Sequence, residues 1–430
     1  MKIIYLCLFE NIDRTKMTDL ISSIENQFEQ VFNKKPEIIV RSPGRINLIG
    51  EHTDYNGGFV LPAAIDKAVY LAVSAREDDE CHFVAHDLKE CYKTTLCNLV
   101  KTDEKGWANY LMGVIKTISD RGFSQRDAFG TISEGINPTS DIRHPKSLRG
   151  VNLVFGGDLP SGGGMSSSAA IENGIGFALN HLFNLGLSRL DLVKISQQSE
   201  NNFVGMQCGV MDMFASMMGQ ERSVIRLDCR SLEYEYFPFD TSNYILVLCD
   251  TRVKHALVDS EYNTRRAECE EGIAILKKYD PSVLSLRDVS LEFLLSHQTH
   301  LSEVVFRRCK YVVEEIARVE KACKALINND LETFGALMYA THDGLNLEYE
   351  VSCPELNYLV EKARLYPYPS VLGARMMGGG FGGCTLNLVK KEAADDFISS
   401  LSKAYFEKFN IDMLAYKVVI ENGTTIMEHN

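Results

Sequence analysis

The alternation of apolar and polar residues along the chain predicts interleaved helices and strands. Apolar residues recur at helical spacing in residues 18–32 and in residues 303–349, where the pattern breaks only near Asn328. Short apolar segments bounded by turn residues, such as "AVYLAVSARED" and "YILVLCDT", are typical of strands. Because helices and strands alternate in both halves, the pattern favours an α/β or α+β chain over a helical bundle.

The chain has 430 residues, which predicts two domains, since a single domain commonly spans about 100–200 residues. Two strand-like segments, "SVIRLDC" and "YEYFPFD", lie near the middle of the chain. We place the domain boundary there, so that the expected domains comprise residues 17–230 and 231–430.

The balance of charges argues against a nucleic-acid or membrane partner. Lys and Arg number 45, Asp and Glu number 58, and the formal net charge is −13. An acidic protein without a basic cluster is repelled by phosphate backbones and anionic lipid surfaces. In addition, no stretch approaches the roughly 20 apolar residues of a membrane span.

The twelve cysteines form no C-x-x-C pair and no zinc-site spacing with histidine. They are therefore interpreted as reduced, mostly buried thiols of a cytoplasmic protein. The apolar run Ile3–Phe9 is short for a signal peptide and lacks a small-residue cleavage site, so export is the weaker interpretation. Met17 is a candidate start, because a helical pattern begins just after it.

The stretch "GRINLIGEHTDYN", residues 44–56, joins a buried strand to a cluster of polar side chains. Arg45 precedes the apolar residues, and Glu51, His52 and Asp54 follow them. A solvated turn explains Asp54 and the Asn and Gly residues after it, because Asn and Gly tolerate positive φ. It does not explain Arg45, so the stretch is a candidate site for binding hydroxyl groups.

A second informative stretch is "PSGGGMSSSAA", residues 160–170, between a strand and a helix. Glycines let backbone N–H groups approach an anion closely, and the helix N-terminus adds partial positive charge. A plain capped helix would need one serine and one glycine, whereas this stretch has three of each, which indicates phosphate binding. No lysine follows the glycines as in a Walker A loop, and neither H-R-D nor D-F-G occurs, so a protein kinase is excluded.

The run "GGGFGG", Gly378–Gly383, happens to match the dinucleotide-binding pattern G-x-G-x-x-G, which alone is a weak signal. A dinucleotide fold would place that motif in its first βα turn, whereas here it lies near the C-terminus between two apolar segments. We therefore expect a tight loop that packs against another backbone or against a bound nucleotide.

Two acidic residues are harder to interpret from their neighbours. Asp212, in "CGVMDM", could simply interact with a helix macrodipole, but its apolar surroundings predict a partly desolvated carboxylate that needs a cation. Arg45 is a candidate for that cation. Glu200, in "QSEN", is expected from its neighbours alone to be a surface glutamate.

Five segments in order resemble the galactokinase signature and the motifs of the wider superfamily of galacto-, homoserine, mevalonate and phosphomevalonate (GHMP) kinases. They are "GRINLIGEHTDYNGGFVLP", "GDLPSGGGMSSSAAIE", "CGVMDM", "SEYNTRRAECE" and "MMGGGFGGC", and the resemblance runs from about Pro36 to Leu388. It implies an α+β fold of two domains, an N-terminal ribosomal-protein-S5-like domain and a C-terminal ferredoxin-like domain, with the site in the cleft.

The resemblance also implies roles for individual residues. Arg45 and Asp212 would be the catalytic pair, and Ser168 and Glu200 would hold Mg²⁺. The residues implied to bind the sugar are Glu51, His52, Asp54, Gly209 and Tyr262. Those implied to bind ATP are Trp107 near the adenine and Gly162, Gly163, Gly164, Met165, Ser166, Ser167 and Ser168 around the phosphates. Three positions depart from the usual pattern, namely Ala170, Met213 and Met377, where serine, glutamine and threonine are common.

The expected function is ATP-dependent phosphorylation of the C1 hydroxyl of α-D-galactose by a cytoplasmic monomer. Two alternatives stay open at this point. One is a kinase for another sugar, such as N-acetylgalactosamine or arabinose, although the serine loop resembles the galactose type. The other is a non-catalytic sensor that binds galactose and ATP. Known sensors lose part of the serine–alanine stretch, which is intact here.

Overall fold

The computed structural model describes residues 18–123, 148–160, 163–254 and 258–427. Within these ranges, no helix combines the length and the apolar character needed to cross a membrane. The predicted first helix is present as α1, residues 18–32.

The first sheet has six strands in the order β13-β1-β3-β6-β4-β5. All neighbours are antiparallel except β4 and β6, which run parallel. Its strands are β1 (Ile38–Asn47), β3 (Pro62–Ala75), β4 (Glu80–Ala85), β5 (Glu90–Thr95), β6 (Val151–Gly157) and β13 (Thr425–Met427). A smaller sheet joins β2 (Phe59–Val60), β7 (Ser223–Asp228) and β8 (Tyr234–Pro238).

Both faces of the six-stranded sheet are covered by helices. On one face, α1 packs Ile24 and Phe28 against Ile39 of β1, whereas the alternate residues Ile38 and Val40 face a second group of helices. Successive side chains of a strand point to opposite faces, which explains why the first three residues of β1, Ile38–Val40, are all apolar. The second group comprises α2 (Ala108–Ile118), α3 (Ser167–Phe183), α4 (Arg189–Ser199) and α5 (Met211–Met218).

The C-terminal half contains a four-stranded antiparallel sheet in the order β10-β11-β9-β12. Its strands are β9 (Tyr244–Lys254), β10 (Val371–Met376), β11 (Gly382–Lys390) and β12 (Leu414–Val418). The helices of this half are α6 (Val258–Leu276), α7 (Leu291–Ser296), α8 (Glu303–Ile327), α9 (Leu331–Leu347), α10 (Pro354–Arg364) and α11 (Ala394–Phe409). Helices α10 and α11 cover one face of this sheet.

The two halves share one apolar core, and this core fixes the position of the polar stretches. Ile46 and Leu48, at and just after the end of β1, pack with Val319 of α8 and Leu386 of β11. Met165, in the glycine–serine loop, belongs to the same cluster and is 1% exposed. The signature stretch and the glycine–serine loop are therefore both anchored at the junction of the two halves.

The architecture confirms the predicted α+β fold, and the predicted break near Asn328 separates α8 from α9. The predicted boundary between residues 230 and 231 stays a prediction. Two pairings cross this boundary. Strand β8, which follows it, pairs with β7, which precedes it, and the C-terminal strand β13 pairs with β1. Hydrogen bonds secure this second pairing, since Arg41 Nη1 donates to the Asn422 carbonyl at 2.9 Å.

Candidate active site

A cavity of about 430 Å³ opens where the signature stretch, α5 and the glycine loop after β10 meet. The structure brings eight of the residues singled out from the sequence to its lining: Arg45, Glu51, His52, Asp54, Glu200, Gly209, Asp212 and Tyr262. Their individual roles stay predictions, but their convergence shows that distant parts of the chain build one site.

Arg45 and Asp212 form a bidentate ion pair at one side of the cavity. Arg45 Nε lies 2.8 Å from Asp212 Oδ1, and Arg45 Nη2 lies 3.0 Å from Asp212 Oδ2. The third nitrogen, Nη1, donates to the Gly164 carbonyl. Such fork-to-fork pairs combine charge with a fixed direction, so the guanidinium fixes the Asp212 carboxylate relative to the glycine–serine loop.

A register irregularity in β1 explains how Arg45 reaches this position. The pairing of β1 with β3 shifts between Pro43 and Arg45, so that Gly44 lies at the irregularity. A Cβ atom on Gly44 would lie 2.4 Å from Leu159 Cδ1 and 2.8 Å from the Met165 carbonyl oxygen. Glycine therefore lets the loop approach the strand, and the Arg45 N–H donates to the Met165 carbonyl at 3.1 Å.

The glycine–serine loop ends at the N-terminus of α3, where Ser166 has the left-handed φ of 57°. The Ser166 hydroxyl donates to Asp212 and forms no cap on α3. The first N–H groups of α3 are thus left for another acceptor, as at the anion sites of helix N-termini. Of the predicted loop residues, Gly162 lies outside the described residues.

Asp54 lies on a short 3₁₀ turn, Asp54–Asn56, across the cavity from α5. Burial raises the pKa of its carboxyl to about 6, and the charges of Asp212 and Glu51 act in the same direction. The Gly209 backbone lies against this carboxylate, since a Cβ atom there would come within 1.9 Å of Asp54 Oδ2. Position 209 therefore accommodates only glycine while Asp54 keeps this conformation.

Glu51 is buried beneath the cavity and is held by groups from the C-terminal half. Its carboxylate accepts from Arg375 Nη2 and from Asn47 Nδ2, the latter at 3.2 Å. The fully buried Glu315 carboxylate of α8 accepts from the Gly50 N–H at 2.7 Å, and the Tyr311 hydroxyl donates to the Glu51 carbonyl at 3.0 Å. The backbone and the side chain of the signature loop are thus both fixed from across the domain junction.

His52 adopts a left-handed φ of 62° and is 4% exposed. Its pKa is lowered to about 3, chiefly by burial and also by the charges of Arg375 and Arg265, while a hydrogen bond with the Gly379 backbone acts in the opposite direction. The imidazole is therefore neutral at physiological pH. Its ring centre lies 5.4 Å from that of Tyr262, so the two aromatic rings form one wall of the cavity.

Glu200 follows α4 at the start of a π-helical turn, Glu200–Val204, and is 7% exposed. The surface glutamate expected from its neighbours alone is wrong, because the turn directs it inward beside Asp212. Burial raises its pKa to about 7, Asp212 acts in the same direction, and hydrogen bonds with Ser168 and Cys208 oppose the shift. A buried carboxylate beside a hydroxyl is a donor set that suits Mg²⁺, which prefers oxygen ligands.

The remaining sequence predictions fall around this site. Trp107 lies outside the cavity lining, and its Nε1 donates to Glu90 Oε2 at 2.7 Å. Gly378 and Gly379 line the cavity, and the tight loop that contains them packs on another backbone as predicted, with the Phe381 N–H donating to the Val351 carbonyl at 2.8 Å. The three departures from the family pattern are all buried core residues: Ala170, Met213 and Met377.

Several residues that support the site were not anticipated, notably Arg375, Glu315 and Tyr349. Arg375 did carry a signal, because an arginine inside the apolar segment "SVLGARMM" needs a buried partner. Glu315 and Tyr349 lie in helical sequence with many other charged and aromatic residues, and their neighbours do not distinguish them.

A glycine–serine loop at a helix N-terminus, next to an Arg–Asp pair in a cleft between two α+β halves, fits the class of small-molecule kinases that the motifs resemble, the GHMP kinases. Family models agree with this class along the chain. The galactokinase galactose-binding signature matches residues 26–75, the N-terminal GHMP kinase domain matches 129–220, and the C-terminal one matches 322–408.

Curated relatives identify the family within this class. Galactokinase of Clostridium beijerinckii is 38% identical over 94% of this chain and 98% of that protein. Galactokinase of Lactiplantibacillus plantarum is also 38% identical, over 94% of this chain and 98% of the relative's length. The chain belongs to the galactokinase family, and GHMP kinases use ATP.

Solved structures support the same assignment. A crystal structure of Lactococcus lactis galactokinase complexed with galactose superposes with a TM-score of 0.84 at 33% identity, covering 94% of this chain and 99% of that one. Mevalonate kinase of Methanococcus jannaschii reaches a TM-score of 0.58 at 17% identity, which shows the shared fold alone.

Proposed function

We propose that the protein transfers the γ-phosphoryl group of ATP to the C1 hydroxyl of α-D-galactose, giving galactose 1-phosphate and ADP. The observation that carries this proposal is the position of Arg45. Its guanidinium joins the Gly164 carbonyl of the glycine–serine loop to the Asp212 carboxylate, which lines the cavity with the predicted sugar-binding residues. Phosphoryl donor and acceptor would therefore meet at this ion pair.

In the proposed reaction, Asp212 accepts or orients the proton of the C1 hydroxyl. Arg45 and the Ser166 hydroxyl hold its carboxylate in one orientation. The Arg45 guanidinium also offers positive charge where charge develops on the transferred phosphoryl group. Phosphoryl transfer needs mainly positioning and electrostatic stabilisation from a protein, and this arrangement supplies both.

The sugar would be recognised through complementary donors and acceptors. The carboxylates of Glu51 and Asp54 can accept from hydroxyl groups, whereas the Tyr262 hydroxyl and one nitrogen of His52 can donate. A site built on hydrogen bonds rejects a sugar that leaves its buried polar groups unpaired. The galactose in the complex of the Lactococcus lactis relative supports galactose as the substrate here.

Mg²⁺ would be held by the Glu200 carboxylate, which is buried, and by the partly buried Ser168 hydroxyl that contacts it, since oxygen ligands suit a hard cation. The metal, when bound, neutralises charge on the phosphate groups. The protein's own part is to keep Glu200 beside the N-terminus of α3. The family resemblance also supports Trp107 as a neighbour of the adenine.

We further propose a monomer that works in the cytoplasm on a small molecule, without nucleic-acid or membrane partners. The net charge of −13 supports this proposal. The eleven cysteines within the described residues, all of them free thiols, suit a reducing compartment.

A coupled assay of ADP release across galactose, glucose, N-acetylgalactosamine and arabinose tests the function. We expect galactose to support turnover and glucose to fail. Equal rates with galactose and glucose, which differ only at C4, would reject the substrate. A protein that binds galactose in calorimetry but releases no ADP would be a sensor, and a preference for another sugar of the panel would move the assignment to that sugar.

A further inference from the structure

Behind the cavity wall, four side chains form a continuous series of polar contacts. His52 Nδ1 lies 2.9 Å from Tyr55 Oη, Tyr55 Oη lies 2.8 Å from Tyr349 Oη, and Tyr349 Oη lies 3.4 Å from Cys269 Sγ. The series connects the signature loop to the segment after α9 and then to α6. It ends at His52, which lines the cavity and whose buried Nε2 lies beside the Gly379 backbone, another part of the cavity lining.

The far end of this series is rigidly held. Tyr349 is fully buried, its carbonyl accepts from Arg265 Nε at 2.7 Å, and its ring packs 4.8 Å from the Tyr311 ring. Its ring centre also lies 4.9 Å from that of His52. Tyr349 therefore keeps one orientation, and its hydroxyl stays directed at Tyr55.

Elementary hydrogen-bond chemistry decides the direction of the series. A phenol is a better donor than a neutral imidazole N–H, and an imidazole nitrogen is a better acceptor than a phenol oxygen. Tyr55 therefore donates to Nδ1 of His52, and its own oxygen accepts from the Tyr349 hydroxyl. In the opposite direction, His52 would donate to Tyr55, Tyr55 to Tyr349, and Tyr349 to the Cys269 sulfur, which is a weak acceptor.

We propose that Tyr55 and Tyr349 are positioning residues that hold His52 in the tautomer with its proton on Nε2. A sugar oxygen at this part of the wall would then accept from Nε2 in place of the Gly379 backbone, whereas Glu51 and Asp54 accept from hydroxyl groups. The inference deepens the proposed function and rests on it for the identity of the sugar. The two tyrosines would thus affect substrate selection through His52, without contacting the substrate themselves.

The tautomer itself can be measured without any substrate. In histidine ¹⁵N-labelled protein, the His52 resonance is assigned by its loss in His52→Gln, and its two ring nitrogens are followed by long-range ¹H–¹⁵N correlation. We expect a proton on Nε2 in the parent and a mixture of tautomers in Tyr55→Phe. A proton on Nδ1 in the parent would overturn the proposal, whatever sugar the protein uses.

Kinetics test the consequence for binding. Tyr349→Phe and Tyr55→Phe each remove a buried hydroxyl that makes two polar contacts of the series, so the KM for galactose should rise about 3- to 10-fold, while the KM for ATP stays unchanged. Tyr405→Phe is the matched control, because its buried hydroxyl donates to the Thr251 carbonyl at 2.9 Å, in the core formed by α10, α11 and the four-stranded sheet. It should change neither KM.

Unchanged galactose KM in both active-site variants, or an equal rise in both KM values, would reject the positioning role. A parent that phosphorylates no galactose would reject the proposed function instead, while the NMR measurement would still decide the tautomer.

Discussion

Arg375 and Glu51 form a buried ion pair that joins strand β10 to the signature loop after β1. Their side chains are 0% and 5% exposed, and they lie 324 residues apart in the chain. Arg375 also donates from Nε to the Met376 carbonyl at 2.7 Å and from Nη1 to the Asn47 carbonyl at 3.2 Å. The pair therefore holds Glu51 in the cavity lining from the opposite half of the protein.

We expect Arg375→Met to destabilise the protein by about 3–5 kcal/mol, because it leaves the Glu51 carboxylate buried without its cation. The free energy of unfolding in urea measures the effect. Arg266→Met is the matched control, since the Arg266–Glu270 pair is exposed on α6, and about 0–1 kcal/mol is expected there. Equal losses in the two variants would contradict a special role for the buried pair.

Gly209→Ala should lower kcat/KM for galactose by about 10²-fold, as displacements near 1 Å do in active sites. Its Cβ would come within 1.9 Å of Asp54 Oδ2, so Asp54 has to move. Steady-state kinetics provide the measurement, and Gly106→Ala is the control because its Cβ would meet nothing within 4 Å. Parent-like kinetics for Gly209→Ala would show that the Asp54 position is unimportant.

The raised pKa of Asp54 predicts that galactose affinity depends on pH. Below about pH 6 the carboxyl is protonated and accepts hydrogen bonds less well, so affinity should fall as the pH drops from 7 to 5. The titratable groups that interact with it are Asp212, Glu51, Tyr262, Tyr55, Cys208 and Cys229. Calorimetry across this range, with Asp54→Asn as the control, should show the inflection in the parent alone.

The raised pKa of Asp54 also makes the free energy of unfolding depend on pH, in a direction that can be stated. The folded pKa of about 6 exceeds the ordinary value of 3.8, so the folded state binds more protons between these values. The contribution of Asp54 to the free energy of unfolding therefore declines as the pH rises from about 4 to about 6. A parent whose stability changes over this interval in the same way as that of Asp54→Asn would contradict the shift.

Asp212→Asn should reduce single-turnover rates by about 10²- to 10⁴-fold, the range typical of acid–base groups. The amide keeps the shape of the side chain but removes the charge that Arg45 and Ser166 hold in place. Galactose binding should survive better, because Glu51, His52 and Asp54 still line the cavity. A fully active variant would remove Asp212 from the mechanism.

Ser168→Ala and Glu200→Gln should raise the Mg²⁺ concentration needed for half-maximal activity. Both changes remove an oxygen ligand or its charge from the proposed metal site. Activity measured from limiting to saturating Mg²⁺, with circular dichroism as a check of folding, tests this. Parent-like Mg²⁺ curves for both variants would show that the metal is held elsewhere.

The sequence by itself determined the elements of the fold and most of the candidate site. The helical break near Asn328, the helix at Met211–Met218 and the strands on either side of the glycine run were all readable from local periodicity. Motifs of neighbouring residues, such as the signature stretch and the glycine–serine loop, were readable for the same reason, since their chemistry is contained in a few consecutive positions.

The tertiary structure decided which distant groups meet and in what state. Arg45 and Asp212 are 167 residues apart, and only folding shows that they pair. Glu200 has a polar local sequence, yet the π-helical turn buries it, and Tyr349 acquires its contact with Tyr55 from the packing of α9. Periodicity reports which face of an element is apolar, whereas burial, pKa and hydrogen-bond partners depend on neighbours that lie hundreds of residues away.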